Sequence, residues 1–213
     1  MIFLFNGPPG SGKDEACLFF IQKGFKHLSF KYELFKETIK YYGVEEKWFF
    51  DGYMDRSKKD IKEEKLDRKT RREALIFVSE ELIKPFYGKD FFGEQLASNI
   101  PDNMNVCISD GGFLEELYPI INKVGVENVI IIQLTREGCD FSSDSRRYFN
   151  VDILEEFTID KRTDILKFHV LEQKIPLRSY RIHNNGTIDS FKEILNVIYE
   201  KEVNDPANKK IEN

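Results

Sequence analysis

Ile2-Phe3-Leu4-Phe5-Asn6-Gly7-Pro8-Pro9-Gly10-Ser11-Gly12-Lys13-Asp14 is the stretch on which the reading of this chain turns. Its apolar run, Ile2 to Phe5, stops at Asn-Gly-Pro-Pro-Gly, which reads as a fully buried strand followed by a glycine-rich loop. From Lys13 to Lys23 the pattern turns helical, with Ala16, Cys17, Phe19 and Phe20 supplying an apolar face. Gly7 to Lys13 fits G-x-x-x-x-G-K. Glycines let the backbone aim its N–H groups inward at phosphate oxygens, and the helix start adds the positive end of its dipole. Lys13 can then reach the β- and γ-phosphates. An ordinary Gly/Pro turn is the plainer reading. At typical residue frequencies, though, the pattern arises by chance in only about a few per cent of chains this long. Here it also has a strand before it and a helix after it. The position after the lysine, Ser or Thr in the general pattern, is Asp14. Its carboxylate is a hard oxygen ligand for Mg²⁺; the plainer role is an acid that complements the helix dipole.

Further along, short apolar runs alternate with helical periodicity. Strands are expected over Lys26 to Phe30, Asn105 to Ser109, Val129 to Leu134 and Ser179 to Ile182. Helices are expected over Tyr32 to Tyr42, Arg71 to Lys84, Lys89 to Asn99, Leu114 to Lys123 and Asp189 to Val203. Trp48 to Lys69 reads as an irregular, charged and mobile segment, Thr135 to Asn150 as a loop or lid, and Asp152 to Gln173 as two short helices. Near-continuous apolar strands alternating with helices predict an α/β fold: a parallel five-stranded sheet covered on both faces, as in the three-layer phosphate-loop NTPase architecture. Ligands of such sheets bind at the carboxyl ends of the strands. One domain over residues 1–203 is expected, with a flexible tail over 204–213.

Composition narrows the function classes. The chain has 213 residues and a formal net charge of -5, so a dedicated nucleic-acid coat or a polybasic membrane binder is not expected. Nineteen Phe and nine Tyr argue against a disordered chain. No apolar run approaches the roughly 20 residues of a membrane span, and the first residues do not read as a signal peptide. The three cysteines, Cys17, Cys107 and Cys139, are widely spaced and fit reduced thiols of a cytoplasmic protein. His27, His169 and His183 show no metal-ligand spacing.

A GTPase-like switch is disfavoured. Asp90-Phe91-Phe92-Gly93 fits Asp-x-x-Gly by letter but sits in a helical stretch, and Asn122-Lys123-Val124-Gly125 lacks the Asp that reads guanine. A small kinase must instead neutralise two anionic substrates and exclude water, which calls for arginines on mobile segments. Arg136, Arg146 and Arg147 surround the expected lid, and Arg71-Arg72 open the middle helix.

At these residues the chain resembles the bacteriophage-type deoxynucleoside monophosphate kinases. The likeness is carried by Phe3-Leu-Phe-Asn-Gly7, Gly12-Lys13-Asp14, Phe50-Asp-Gly-Tyr-Met-Asp-Arg56, Thr70-Arg71-Arg72 and Ile182-His-Asn-Asn-Gly186. It covers most of the chain, with the glycine loop as its one highly specific motif. It implies ATP-dependent phosphorylation of a (deoxy)nucleoside monophosphate, a helical acceptor-binding region over about 31–100 and a lid over about 136–150. Small nucleotides would be the partners, with ATP and Mg²⁺ bound. The compartment would be the cytoplasm, the host's if the source is viral, and a homodimer is compatible. Gly10, Ser11, Gly12, Lys13, Asp14 and Arg136 would then bind ATP, with Arg136 against the base. Arg146 and Arg147 would act with Lys13 on the transferring phosphoryl group. Arg72, with Arg71 as the alternative, would clamp the acceptor phosphate, and Lys31 and Asp110 would touch the acceptor. Asp14 and Asp110 would serve the metal. The plainer roles are a solvated helix face for the arginine pair, ion pairs to Asp140 or Asp144 for the lid arginines, and a turn for Asp110. Where that family often has Asp-x-Arg, this chain has Asp110-Gly111-Gly112, so one anion contact must come from elsewhere. Animal phosphomevalonate kinases share Gly-Lys-Asp, so a kinase for another phosphorylated metabolite stays open, as does a non-catalytic ATP-binding module.

Overall fold

The computed structural model describes residues 1–58, 61–142, 144–150, 155–159, 166–170 and 177–204. Among them the chain is α/β. Its strands are β1 (Ile2–Asn6), β2 (Lys26–Leu28), β3 (Val106–Gly111), β4 (Val129–Thr135), β5 (Glu155–Ile159), β6 (Leu166–Val170) and β7 (Arg178–His183). They form one sheet in the order β2-β3-β1-β4-β7-β5-β6. The pairs β1–β3, β1–β4, β4–β7 and β5–β7 are parallel, and β6 returns antiparallel to β5. The parallel sheet is as expected. The β5–β6 hairpin is not, because two helices were expected over Asp152 to Gln173; the remaining residues of that stretch lie outside those described, as does the tail from 205 onward.

Two compact units divide the chain: residues 1–27, 101–113 and 124–213, and residues 28–100 with 114–123. The first holds β1, β3, β4 and β7 with helices α1 (Lys13–Gln22) and, near its end, Ile188–Tyr199. One face of β1 sends Phe3 and Phe5 into a core shared with Ala16, Phe20, Ile132, Tyr180, Phe191 and Leu195. The Phe3 and Phe20 rings meet at a 33° tilt with centroids 4.5 Å apart. Burying each such ring contributes roughly 2–3 kcal/mol, which pins α1 against the strand that precedes it. All five residues of β1 are buried, as a strand covered on both faces requires.

The second unit contains α2 (Phe30–Tyr42), α3 (Glu46–Met54), α4 (Arg71–Phe77), α5 (Lys84–Tyr87), α6 (Phe91–Ser98) and most of α7 (Leu114–Val124); Ile188–Tyr199 of the first unit is α8. A π-helical stretch, Val78–Ile83, joins α4 to α5. The structure corrects the sequence reading over Trp48 to Lys69. Glu46–Met54 is a helix, and short 3₁₀ turns follow at Arg56–Lys58 and Glu64–Leu66. Gly52 lowers helix propensity there, and it makes room for the Arg71 guanidinium, which a Cβ at 52 would displace. Phe49 supplies the other reason, being fully buried with Phe35, Leu66, Ala74 and Leu75. No helix among the described residues is long and apolar enough to cross a membrane.

Candidate functional site

The junction of β1 and α1 carries the unusual chemistry of the first unit. Helices α2, α4 and α8 start at Ser29, Thr70 and Thr187, whose hydroxyls accept from the first turn. Helix α1 starts at Gly12, and no side chain caps it, as none caps α3, α5 or α6. Its first N–H groups are left to another acceptor. Gly12 has φ 106°, and a Cβ there would lie 2.5 Å from Asn184 Nδ2. Only glycine meets both conditions cheaply. Asn184 in turn donates to Ser11 O at 3.0 Å, and Ser11 N–H closes on Pro8 O at 3.3 Å.

Two polar side chains are buried in this loop. Lys13 is 8% exposed, and its Nζ donates to Gly7 O at 2.7 Å and Pro8 O at 2.6 Å. Burial, then the nearby positive charge of Arg146, lowers its pKa to about 8; Asp14, Asp144 and Asp110 act the other way. Ser11 Oγ is buried with no hydrogen-bond partner. A buried hydroxyl without a partner is rare enough in folded proteins to need an explanation. The inward lysine, the buried hydroxyl and the uncapped helix start together supply donors of the kind an oxyanion takes.

Around the loop the structure brings together most of the residues expected from sequence. Arg136 is exposed at the end of β4 and donates from Nη1 to Gly10 O at 3.3 Å. Arg146 forms a two-point pair with Asp144, Nε to Oδ1 at 3.0 Å and Nη2 to Oδ2 at 2.5 Å. That pair holds the Asp144 carboxyl below the usual range. Arg146 Nη1 also points to Asp110 O at 3.5 Å, and its side chain packs over Gly112 where a Cβ would collide. The ion pair to Asp144 expected as the plainer role of these arginines is present on Arg146, while the Arg147 side chain is exposed. Asp14 is exposed on the first turn of α1, and Asp110 is half-buried at the end of β3. These two carboxylates supply hard oxygen donors of the kind Mg²⁺ takes, and phosphate oxygens would complete such a shell. No group of three or more His, Cys, Asp or Glu able to hold a metal occurs among the described residues.

Of the expected acceptor residues, Arg71, Arg72 and Lys31 lie in the second unit, and Asp110 lies in the first. Arg71 is 3% exposed, with its guanidinium 4.3 Å from the Trp48 ring centroid and Nη1 2.9 Å from Glu63 Oε1. Its Nε is buried with no partner. Arg72, one residue on, is exposed. Lys31 is exposed, with Nζ 4.4 Å from the Tyr53 ring centroid and 5.7 Å from that of Phe35.

Sequence reasoning missed Asn6, Gln133 and Arg181. Asn6 and Gln133 are fully buried in strands that are otherwise apolar, and Arg181 Nη2 donates to Gln133 Oε1 at 2.9 Å. The signal was available: a carboxamide inside Val-Ile-Ile-Ile-Gln-Leu has to be bonded to something. No protein-family model matches this chain, and no curated protein matches it in sequence.

Proposed function

We propose that this protein is an ATP-dependent kinase that transfers the γ-phosphoryl group of ATP to a (deoxy)nucleoside monophosphate. The observation that carries the reading is the loop of Gly7 to Lys13, where a buried lysine and an orphan buried hydroxyl converge at an uncapped helix start. Backbone N–H groups of Gly10 and Gly12, the Ser11 hydroxyl and Lys13 would hold the donor phosphates, and Arg136 would lie toward the base. Mg²⁺, when bound, would offset phosphate charge, with Asp14 and Asp110 as its protein-side carboxylates. An acceptor phosphate oxygen forms a bond to the γ-phosphorus as the bond to the ADP oxygen breaks, so ATP and the monophosphate become ADP and the diphosphate. No general base is required. Lys13, Arg146 and Arg147 would contribute by neutralising charge and aligning the two substrates. Asp144 would keep Arg146 in one orientation until the anions compete for it.

For the acceptor phosphate, the geometry favours Arg71 over Arg72. Arg71 is preset by Trp48 and Glu63 and still has an unpartnered Nε, so binding a phosphate freezes little side-chain entropy and satisfies a buried donor. Arg71→Ala is expected to raise the acceptor KM at least ~10-fold, from loss of a charge-assisted contact of roughly 1.5–3 kcal/mol, and to leave the ATP KM within about 3-fold. Arg72→Ala should change both by less than about 3-fold. The reverse pattern in steady-state kinetics would return the clamp to Arg72.

A coupled ADP-release assay over ribo- and deoxyribonucleoside monophosphates, with phosphomevalonate alongside, tests the whole reading. Turnover with at least one nucleotide is the expected result. Turnover with phosphomevalonate alone would assign another metabolite kinase, and ATP binding without turnover would leave a non-catalytic module.

A further inference from the structure

Strand β4 is apolar until Gln133, and β1 ends in Asn6; both side chains are fully buried. Parallel register sets Asn6 opposite Gln133 and Gln133 opposite Arg181, so the three form one polar row across β1, β4 and β7. The row holds a distant segment. Asn6 Nδ2 donates to Arg147 O at 2.9 Å and to Gly111 O at 3.0 Å, and Asn6 Oδ1 accepts from Phe149 N at 2.8 Å. Gln133 Nε2 donates to Phe149 O at 2.7 Å. The Asn6 carboxamide thus offers residues 147–149 one donor and one acceptor, as the peptide of a neighbouring strand would. Two more ties complete the hold: Arg147 N donates to Gly112 O at 3.3 Å, and the Tyr148 hydroxyl donates to Leu134 O at 2.9 Å. Backbone on both sides of Tyr148 is fixed, while the Arg147 side chain is left exposed.

We propose that Asn6, with Gln133 behind it, is a positioning residue that fixes the 147–149 backbone so that Arg147 is presented to the reacting phosphates. The proposal rests on the kinase reading above. A glycine loop places its own ligands by local turns, but an arginine 141 residues away must be brought in and held, and a buried carboxamide can do both. An ionised acid at position 6 has no donor, and a hydroxyl offers donor and acceptor from a single oxygen, so neither presents the separate N–H₂ and C=O of a carboxamide.

Asn6→Asp keeps the shape and the acceptor for Phe149 N–H but sets a carboxylate oxygen against the carbonyls of Arg147 and Gly111. Turnover is measured with both substrates saturating, counted per ATP-binding site by calorimetry. It is measured in the wild-type background and again in Arg147→Ala. The expected result is a fall in kcat of about 30-fold or more with the ATP KM within about 3-fold, and no more than about 2-fold further loss when Arg147 is already alanine. Gln133→Glu, which loses the donor to Phe149 O, is expected to behave likewise with a smaller fall, and it carries the test if Asn6→Asp binds no ATP. Equal losses in both backgrounds, an unchanged kcat in the position 6 and 133 variants, or an Arg147→Ala enzyme with unimpaired kcat would overturn the proposal and leave the kinase reading standing. A wild-type protein that binds ATP but phosphorylates no acceptor would instead overturn the kinase reading.

Discussion

The loop of residues 7–14 carries Lys13, residues 147–149 adjoin Arg146, whose charge acts on that lysine, and the two are built in opposite ways. The loop is organised from within: Ser11 N–H reaches Pro8 O, Lys13 reaches Gly7 O and Pro8 O, and Gly10 and Gly12 take positive φ of 81° and 106°. Those hydrogen bonds link residues fewer than ten positions apart, and Asn184 and Arg136 add only outer ties to Ser11 O and Gly10 O. Residues 147–149 have no regular secondary structure and are organised from outside, by Asn6, Gly112, Gln133 and Leu134. A local device can be read as a motif, whereas a segment tied by remote partners has no signature of its own.

The sharpest way to break the comparison is Lys13→Ala. Removing the lysine should lower kcat by about 100-fold or more, a loss of roughly 3 kcal/mol of transition-state stabilisation, without unfolding the protein. Steady-state kinetics with a thermal melt alongside would show it, and unimpaired turnover at saturating ATP would remove the assignment of the loop.

Gly12→Ala should be next in size. Positive φ and the approach of Asn184 Nδ2 together should cost about 2 kcal/mol, read as a melting point lower by roughly 4–8 °C, with ATP affinity reduced about 10-fold or more. Hydrogen exchange at the Phe149 amide should stay slow in this variant, because its partner Asn6 is untouched. Rapid exchange there would show the loop and the segment to be one cooperative unit.

The pH dependence sharpens the electrostatic side. Lys13 has its pKa lowered to about 8 in the ligand-free fold, and bound phosphate must raise it again. ATP affinity should therefore be full below pH 8 and fall as pH rises above it, with a proton taken up on binding. The sign for stability is the reverse. The unfolded chain holds the Lys13 proton up to about 10.5 while the fold releases it near 8, so the ligand-free fold gains stability as pH rises through that window. Calorimetry of ATP binding in buffers of different ionisation enthalpy, from pH 7 to 9, checks the first statement. Melting of wild type against Lys13→Ala across pH 7 to 10 checks the second, and the two curves should draw together with rising pH if the alanine protein starts higher.

Asp14→Asn should give the smallest change. If the carboxylate serves the metal, the Mg²⁺ concentration for half-maximal rate rises a few-fold, and metal-free ATP binds as well or better. If it only complements the helix dipole, the Mg²⁺ curve stays in place and stability falls by roughly 0.3–1 kcal/mol. Rate against free Mg²⁺ separates the two.

How much was legible follows the same division. Apolar runs announced β1, β3 and β4 to within a residue or two at each end, because a strand covered on both faces admits little else, and the more polar β7 was placed as closely. The loop and Lys13 were legible for the reason already given, and Asp144 as the partner of Arg146 was foreseeable because it is two residues away. Helix α3 was not legible: Gly52 and the charged residues after it read as irregular chain, and only the Arg71 guanidinium lying on Gly52 explains that glycine. The β5–β6 hairpin was missed for a related reason, since β5 takes its place by pairing in parallel with β7.

By itself the sequence determined the parallel sheet, the strand-loop-helix start, the lysine and the set of arginines available to it, because each follows from periodicity or from neighbours along the chain. Tertiary structure alone decided that Arg71 is buried against Trp48 and Glu63 while Arg72 is exposed, a choice that one step along a helix reverses. It also decided that Asn6 and Gln133 hold residues 147–149. A buried carboxamide has to find a donor and an acceptor, but which ones it finds depends on what the fold brings beside it, over separations of up to 143 residues.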